Sequence, residues 1–225
     1  MVQRNVTATA VQRSGVHISK MSGKLEGLRA ISTNTVTNPF CIAANQAKAH
    51  TICSVCYSHS MLNTYRKNAQ AALQYNSDYL SSKLYHADAF PVILDRVFRF
   101  SAHGELINDT HLRNLLTIVK KNPATTFALW TKRKDIVRSV FKTETKPNNL
   151  VLIFSNPKID AIMAKPPKGF DKTFNNVAEG SYVEKQNCTG QKCKDCLLCY
   201  DLTTTSSIVE KVKNYGKGNG HATQN

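Results

Sequence analysis

The chain has no long hydrophobic run. Its longest purely apolar stretch is Leu150–Phe154, whereas a membrane-spanning helix needs about 20 apolar residues. The first residues, Met1–Thr7, contain no apolar core and are not expected to act as a signal peptide. We therefore expect a cytoplasmic protein without a membrane partner.

Acidic side chains are scarce. The 225 residues contain 15 Asp and Glu against 30 Lys and Arg, a formal net charge of +15. The excess is spread evenly, at +5 in residues 1–60, +6 in residues 61–140 and +4 in residues 141–225. A diffuse basic surface favours a polyanion such as nucleic acid as a partner, although a basic protein can also lack one. The apolar content of 41% excludes a disordered chain.

The seven cysteines form two groups separated by a long stretch without cysteine. They are Cys41, Cys53 and Cys56, and then Cys188, Cys193, Cys196 and Cys199. In a reducing cytoplasm, clustered cysteines indicate metal binding or catalysis rather than disulfide bonds. The C-terminal group has the spacing Cys-x4-Cys-x2-Cys-x2-Cys. It can bind a [4Fe–4S] cluster, as similar runs in ferredoxins do, with a tetrahedral zinc ion as the alternative.

The N-terminal group offers only three cysteine ligands, so a cluster held there keeps one iron open to a substrate or cofactor. An open position of this kind is typical of catalytic metal sites. His50 and His59 flank Cys53 and Cys56 and are candidates for a fourth ligand, although a histidine beside cysteines more often supports the ligands or faces solvent.

Apolar runs alternate with stretches that favour helices. Buried strands are predicted at 97–101, 127–130 and 149–154, and helices at 58–86, at 109–121 and around Ile136–Val140. This alternation is typical of parallel β/α units. The predicted fold class is therefore α/β, wound as a barrel or as an open sheet.

Less regular segments complete the prediction. A strand is expected within 17–21, a loop over 33–45 because it contains Pro39, and a helix over 206–214. Asp109 is expected to cap the helix at 109–121. The predicted organisation is a loose N-terminal arm (1–16), an α/β core (17–184) and a cysteine-rich, metal-binding C-terminal extension with a frayed tail (185–225).

Polar residues follow the three predicted strands. They are His103, Gly104 and Glu105, then Thr131, Lys132 and Arg133, and then Ser155 and Asn156. In parallel β/α folds the chemistry lies at the carboxyl ends of the strands. Each residue alone could simply begin a solvated loop, but three strand ends beside a cysteine loop indicate a common site.

Four segments, followed by the C-terminal cysteine group, resemble the phage gene product 88 family. They are Asn38–Cys41, Cys53–Tyr57, Phe98–Glu105 and Phe127–Lys132, and the resemblance extends from about Lys20 to Tyr200. The Cys-x2-Cys-Tyr motif and the strand that ends in Thr-Lys also resemble phage proteins related to the radical SAM superfamily. The superfamily spacing is Cys-x3-Cys-x2-Cys, whereas position 49 is Ala here and the upstream cysteine is Cys41.

The resemblance implies a partial (β/α) barrel with a [4Fe–4S] cluster on Cys41, Cys53 and Cys56. It also implies that Gly104 and Glu105 lie where S-adenosylmethionine would be held. With Ser155, they are the expected cofactor-binding residues. If the two cysteine groups meet in space, Cys53 and Cys56 could instead share one cluster with Cys196 and Cys199, so the number of clusters is one or two.

The prediction is thus a phage-encoded iron–sulfur protein of the host cytoplasm. Its open iron would support radical-SAM-like or Lewis-acid chemistry, with His103, Glu105 and Lys132 as catalytic candidates. One alternative is a hydrolase or lyase in which His103 is the base, oriented by Glu105 or Asp109. The other is a basic nucleic-acid-binding protein whose metals only stabilise the fold.

Overall fold

The computed structural model describes residues 15–47, 49–178 and 186–212. The predicted N-terminal arm therefore lies outside them except for residues 15 and 16, and so does the predicted tail. The strands are β1 (Ser19–Lys20), β2 (Arg29–Ile31), β3 (Val97–Phe100), β4 (Thr126–Thr131), β5 (Leu150–Ile159), β6 (Lys172–Val177) and β7 (Ser207–Lys211). The helices are α1 (Pro39–Gln46), α2 (Tyr57–Asn63), α3 (Gln70–Ser82), α4 (Asp109–Lys121), α5 (Lys134–Val140) and α6 (Cys193–Cys196).

The seven strands form one sheet in chain order. The pair β1–β2 is antiparallel, and every later neighbouring pair is parallel. This arrangement confirms the predicted α/β class and parallel β/α units. Because parallel strands point the same way, the segments after β2, β3 and β4 emerge at the same edge of the sheet. In the described part of the chain, no helix is long and apolar enough to cross a membrane.

The sheet has a different cover on each face. Phe98 and Phe100 of β3 belong to the larger core, which α3, α4 and α5 also supply. Val97, on the alternate side of β3, belongs to a second cluster with Trp130 and Tyr200. The cysteine-rich residues that follow position 186 thus cover the face opposite to these helices.

The C-terminal residues belong to the same sheet. The helix predicted over 206–214 is wrong, because Ser207–Lys211 form β7 and pair in parallel with β6. Ile208 and Val209 are buried there, and β-branched side chains suit a buried strand. The described residues of the predicted extension therefore supply an edge strand of the core sheet.

The loop predicted over 33–45 is also wrong in its second half, where α1 forms. The Asn38 side chain caps this helix, accepting hydrogen bonds from the backbone nitrogens of Phe40 (3.0 Å) and Cys41 (3.4 Å). Pro39 occupies the first helical position, where its missing N–H costs nothing, so it begins a helix rather than breaking one. Similarly, Asn108 rather than Asp109 caps α4.

The prediction that the strand ends at Ser155 and Asn156 is wrong. Both residues lie inside β5, which runs to Ile159. The strand continues because the cysteine loop and β6 both bind its extension. The Ile52 nitrogen donates to the Pro157 carbonyl (2.9 Å), and the Asn156 side chain donates to Asn175 Oδ1 (3.0 Å). The register shifts between Ser155 and Ile159.

Buried His111 makes stability depend on pH. Burial lowers its pKa to about 3 in the folded protein, against about 6.5 in an unfolded chain. Its stabilising effect is complete above pH 6.5 and is lost as the pH falls, because only the unfolded chain then gains a proton.

Gln in place of His111 can still accept the Ile107 N–H. We expect His111→Gln to flatten the fall in unfolding free energy between about pH 6 and 4.5 by about 1.4 kcal/mol per pH unit. Urea titrations measure this slope, and an unchanged slope, or equal flattening by His86→Gln at an exposed site, would contradict it.

Candidate metal and cofactor site

All seven cysteines line one cavity of about 220 Å³. It lies on the face of the sheet opposite to α3, α4 and α5. Each cysteine is a free thiol. Five of the eight strand-end residues predicted from the sequence line the same cavity: His103, Gly104, Glu105, Lys132 and Ser155. The other three, Thr131, Arg133 and Asn156, are not among its lining residues. His50 and His59 are not among its lining residues, and the exposed His50 ring lies 3.7 Å from Asp160.

The N-terminal cysteines are positioned by α1 and α2. Cys41 lies in the first turn of α1, and Cys53 and Cys56 form the turn that precedes α2. The Asn45 side chain of α1 donates to the Cys53 carbonyl (2.8 Å), and the Cys56 nitrogen donates to the same carbonyl (3.2 Å). The long Cys41–Cys53 spacing is thus folded into a helix whose far end binds the Cys-x2-Cys turn.

Glu105 is buried and supports the site from inside. Its exposed fraction is 4%, and its carboxylate accepts hydrogen bonds from the backbone nitrogens of Leu106 (2.8 Å) and Lys132 (2.7 Å) and from the Thr131 hydroxyl. A side chain held by three donors joins the end of β3 to the end of β4. In this structure Glu105 therefore orients Lys132, and its predicted part in cofactor binding stays a prediction.

Lys132 extends from β4 into the cavity, where its Nζ donates to Ser155 Oγ (3.1 Å). Burial lowers the pKa of Lys132, but the anionic forms of Cys53 and Glu105 raise it more, so the net shift is upward. Burial also raises the pKa of Cys41 and Cys53. The group thus pairs a lasting positive charge with thiols that lose their protons when a metal binds.

His103 is held by a chain of hydroxyl groups. Its Nδ1 lies 3.0 Å from Ser58 Oγ, which lies 2.7 Å from Thr35 Oγ1. Burial, followed by the nearby Arg99, lowers the pKa of His103 to about 4, so the ring is neutral near pH 7. The other proposed orienting acid, Asp109, accepts a hydrogen bond from the Ser139 hydroxyl instead.

The C-terminal cysteines lie in the segment of the chain that connects β6 to β7. Cys188 bridges to Glu210 of β7, and α6 carries Cys193 and Cys196. Lys24 forms an ion pair with Glu210 and donates to Cys188 Sγ (3.4 Å). Burial raises the pKa of the Cys199 thiol to about 12.

The cysteines that raise one another's pKa belong to the same two groups that the sequence shows. After burial and Glu105, the groups that raise the pKa of Cys41 include Cys56 and Cys53. Those that raise the pKa of Cys199, after burial, are Cys188 and Cys193. No three Cys, His, Asp or Glu side chains of residues 15–47, 49–178 and 186–212 are close enough to hold a single metal ion.

Arg99, Trp130 and Tyr200 also line the cavity, and none of them was selected from the sequence. The one available signal was alternation in β3, where Arg99 interrupts the apolar run Val97–Phe100 on the side opposite to Phe98 and Phe100. That side of β3 becomes part of a cavity only because residues after position 186, which are distant in the sequence, pack over it.

Comparison with known proteins gives one family. A protein-family model described as "Gene product 88" matches residues 21–188, more than half of the chain. The match spans the N-terminal cysteines and the strand-end residues, and it ends at Cys188. No curated protein and no solved structure gives a significant match.

Proposed function

The chain belongs to the gene product 88 family, and we propose that it is an iron–sulfur protein with a [4Fe–4S] cluster at each cysteine group. The observation that carries this proposal is the gathering of all seven cysteines around one cavity, together with Lys132. The N-terminal cluster, with three cysteine ligands, is proposed as the reactive one. The protein is further proposed to be phage-encoded and to act in the host cytoplasm.

The donor set suits a cluster. Thiolates favour iron–sulfur clusters and zinc, but a tetrahedral zinc ion requires its sulfurs to converge at about 2.3 Å from one point. A cluster holds its ligands farther apart because each binds a different iron, so the two kinds of centre require different spacings of the sulfurs. The positive charges of Lys24 and Lys132 around the cavity would balance anionic thiolates.

The sheet supports the proposed relation to the radical SAM fold. Parallel strands in chain order, with α3–α5 on one face and a cavity on the other, are what a partial (β/α) barrel requires. Gly104 and Glu105 follow β3 and line that cavity, and the resemblance implies that they would hold S-adenosylmethionine. Use of this cofactor belongs to the proposal.

The chemistry that a [4Fe–4S] cluster supplies is electron donation or Lewis-acid activation. Cys41, Cys53 and Cys56 would hold it, and Lys132 would place a fixed charge beside it. The hydrolase alternative has less support, because Glu105 and Asp109 bind other partners and do not orient His103. Since His103 Nδ1 is hydrogen-bonded to Ser58, only Nε2 of the neutral ring is left to exchange a proton with a substrate.

Iron content tests the proposal directly. Protein purified without oxygen should be brown and contain about eight iron and eight sulfide ions per chain, as two [4Fe–4S] clusters require. Metal analysis, sulfide analysis and the visible spectrum measure this. A colourless protein with stoichiometric zinc, even after iron–sulfur reconstitution, would contradict the proposal. Tight DNA binding by that zinc form at physiological salt would favour the nucleic-acid alternative.

A further inference from the structure

Arg99 is a cation that lines the cavity and has no carboxylate partner among the described residues. Its guanidinium carbon lies 3.9 Å from the centre of the Trp130 ring, within the range of a cation–π interaction. Its Nε has no hydrogen-bond partner, and Arg99 takes part in none of the ion pairs formed by the described residues. Arginine presents five donors in a rigid fork that matches a carboxylate or phosphate group.

Two further donors beside Arg99 are equally unsatisfied. Trp130 Nε1 and Tyr200 Oη are buried and have no hydrogen-bond partner in the described part of the chain, and each residue is only 7% exposed. Their rings lie 6.1 Å apart, edge to face. Buried donors are nearly always paired, and leaving one unpaired costs about 1–3 kcal/mol. Three such atoms around one cavity indicate a ligand that accepts hydrogen bonds.

We propose that Arg99, Trp130 and Tyr200 form a subsite for the oxyanion group of a small-molecule ligand, a carboxylate or a phosphate. The three side chains offer donors, and the one charge among them is positive. Lys24 and Lys132 line the same cavity, but Lys24 is paired with Glu210 and Lys132 binds Ser155. Lys211 lines the cavity too, and among these four cations Arg99 is the one with a buried nitrogen that has no hydrogen-bond partner among the described residues.

The subsite deepens the proposed function and rests on it, because Arg99, Trp130 and Tyr200 line the same cavity as both cysteine groups. The thiols of Cys193 and Cys199 are electrostatic neighbours of Arg99, and so is His103 beside the N-terminal group. A ligand whose anionic group binds Arg99 would thus share this cavity with the open iron proposed for Cys41, Cys53 and Cys56. Its other end would be the reacting one.

The test is anion binding by the full chain, purified without oxygen. Acetate and inorganic phosphate are titrated separately, with chloride at matched ionic strength as the reference, by calorimetry and by the midpoint of thermal unfolding. We expect saturable stabilisation by at least one probe, and the stronger probe distinguishes carboxylate from phosphate. Arg99→Met should abolish the response, Arg99→Lys should weaken it about tenfold, and Tyr200→Phe should weaken it several-fold.

Arg138→Met on the exposed side of α5 is the matched control and should respond like the wild type. The proposal is overturned if neither probe binds saturably, or if Arg99→Met responds unchanged. It is also overturned if that variant alters only the visible spectrum, since Arg99 would then serve the cysteine groups. Iron content is measured on the same samples, so a protein that binds anions through Arg99 without iron would contradict the proposed function alone.

Discussion

Replacing Cys53 or Cys56 with alanine should remove about half of the bound iron, about four of eight ions. Both residues lie in one turn before α2, and the Asn45 side chain fixes that turn through the Cys53 carbonyl (2.8 Å). A cluster left with two of its three cysteine ligands has no substitute within this turn. Iron, sulfide and low-temperature electron paramagnetic resonance after reduction would measure the loss.

Cys41→Ala should leave a cluster that forms but is lost on exposure to oxygen or chelator. Cys41 is supplied by a separate helix, so Cys53 and Cys56 keep their geometry without it. The matched control is Ser54→Ala, which lies between the two ligands and removes only a hydroxyl bond to the Thr51 carbonyl. That variant should retain all its iron.

Substitutions in the C-terminal group should chiefly damage folding. Cys193 and Cys199 pack against the cluster of Trp130 and Tyr200 that covers the second face of the sheet. If Cys41→Ala instead retained full, stable iron while Cys199→Ala lost the same signal as Cys53→Ala, the two-site arrangement would be wrong. One centre shared by both ends of the chain would then replace it.

The parts of this site that could be predicted from the sequence are those set by local pattern. Continuous apolar runs gave β3, β4 and the start of β5, and parallel strands place His103, Glu105 and Lys132 at one edge. Cys53 and Cys56 could be grouped because two residues separate them. Local signals of this kind need no knowledge of distant contacts.

The parts that could not be predicted depend on contacts between distant residues. Whether Pro39 ends a segment or begins a helix depends on the Asn38 side chain, which also donates to the Glu105 carbonyl (2.9 Å). Residues 207–211 become a strand because β6 offers an edge to pair with. Arg99 becomes part of a cavity only when the chain near Tyr200 folds over it.

Gly104→Ala should be the most damaging substitution outside the cysteines. Gly104 has φ +76°, and a Cβ there would lie 2.2 Å from Thr33 Oγ1 and 2.5 Å from the Thr33 carbonyl oxygen. The Thr33 backbone cannot retreat, because its nitrogen donates to the His103 carbonyl (3.1 Å). We expect a loss of at least about 3 kcal/mol in the free energy of unfolding, measured in urea.

Gly23→Ala provides the matched control, because Gly23 also has positive φ (+66°) but a Cβ there would meet nothing within 4 Å. It should cost about 1 kcal/mol, the effect of the backbone conformation alone. The difference between the two variants measures the clash, and equal losses would show that no clash exists. Gly104, which the resemblance assigns to a cofactor-binding motif, is thus required by the close approach of the segments after β2 and β3, even without a ligand. That same approach brings His103 and Glu105 to the cavity, so Gly104→Ala should disturb the site even where the chain still folds.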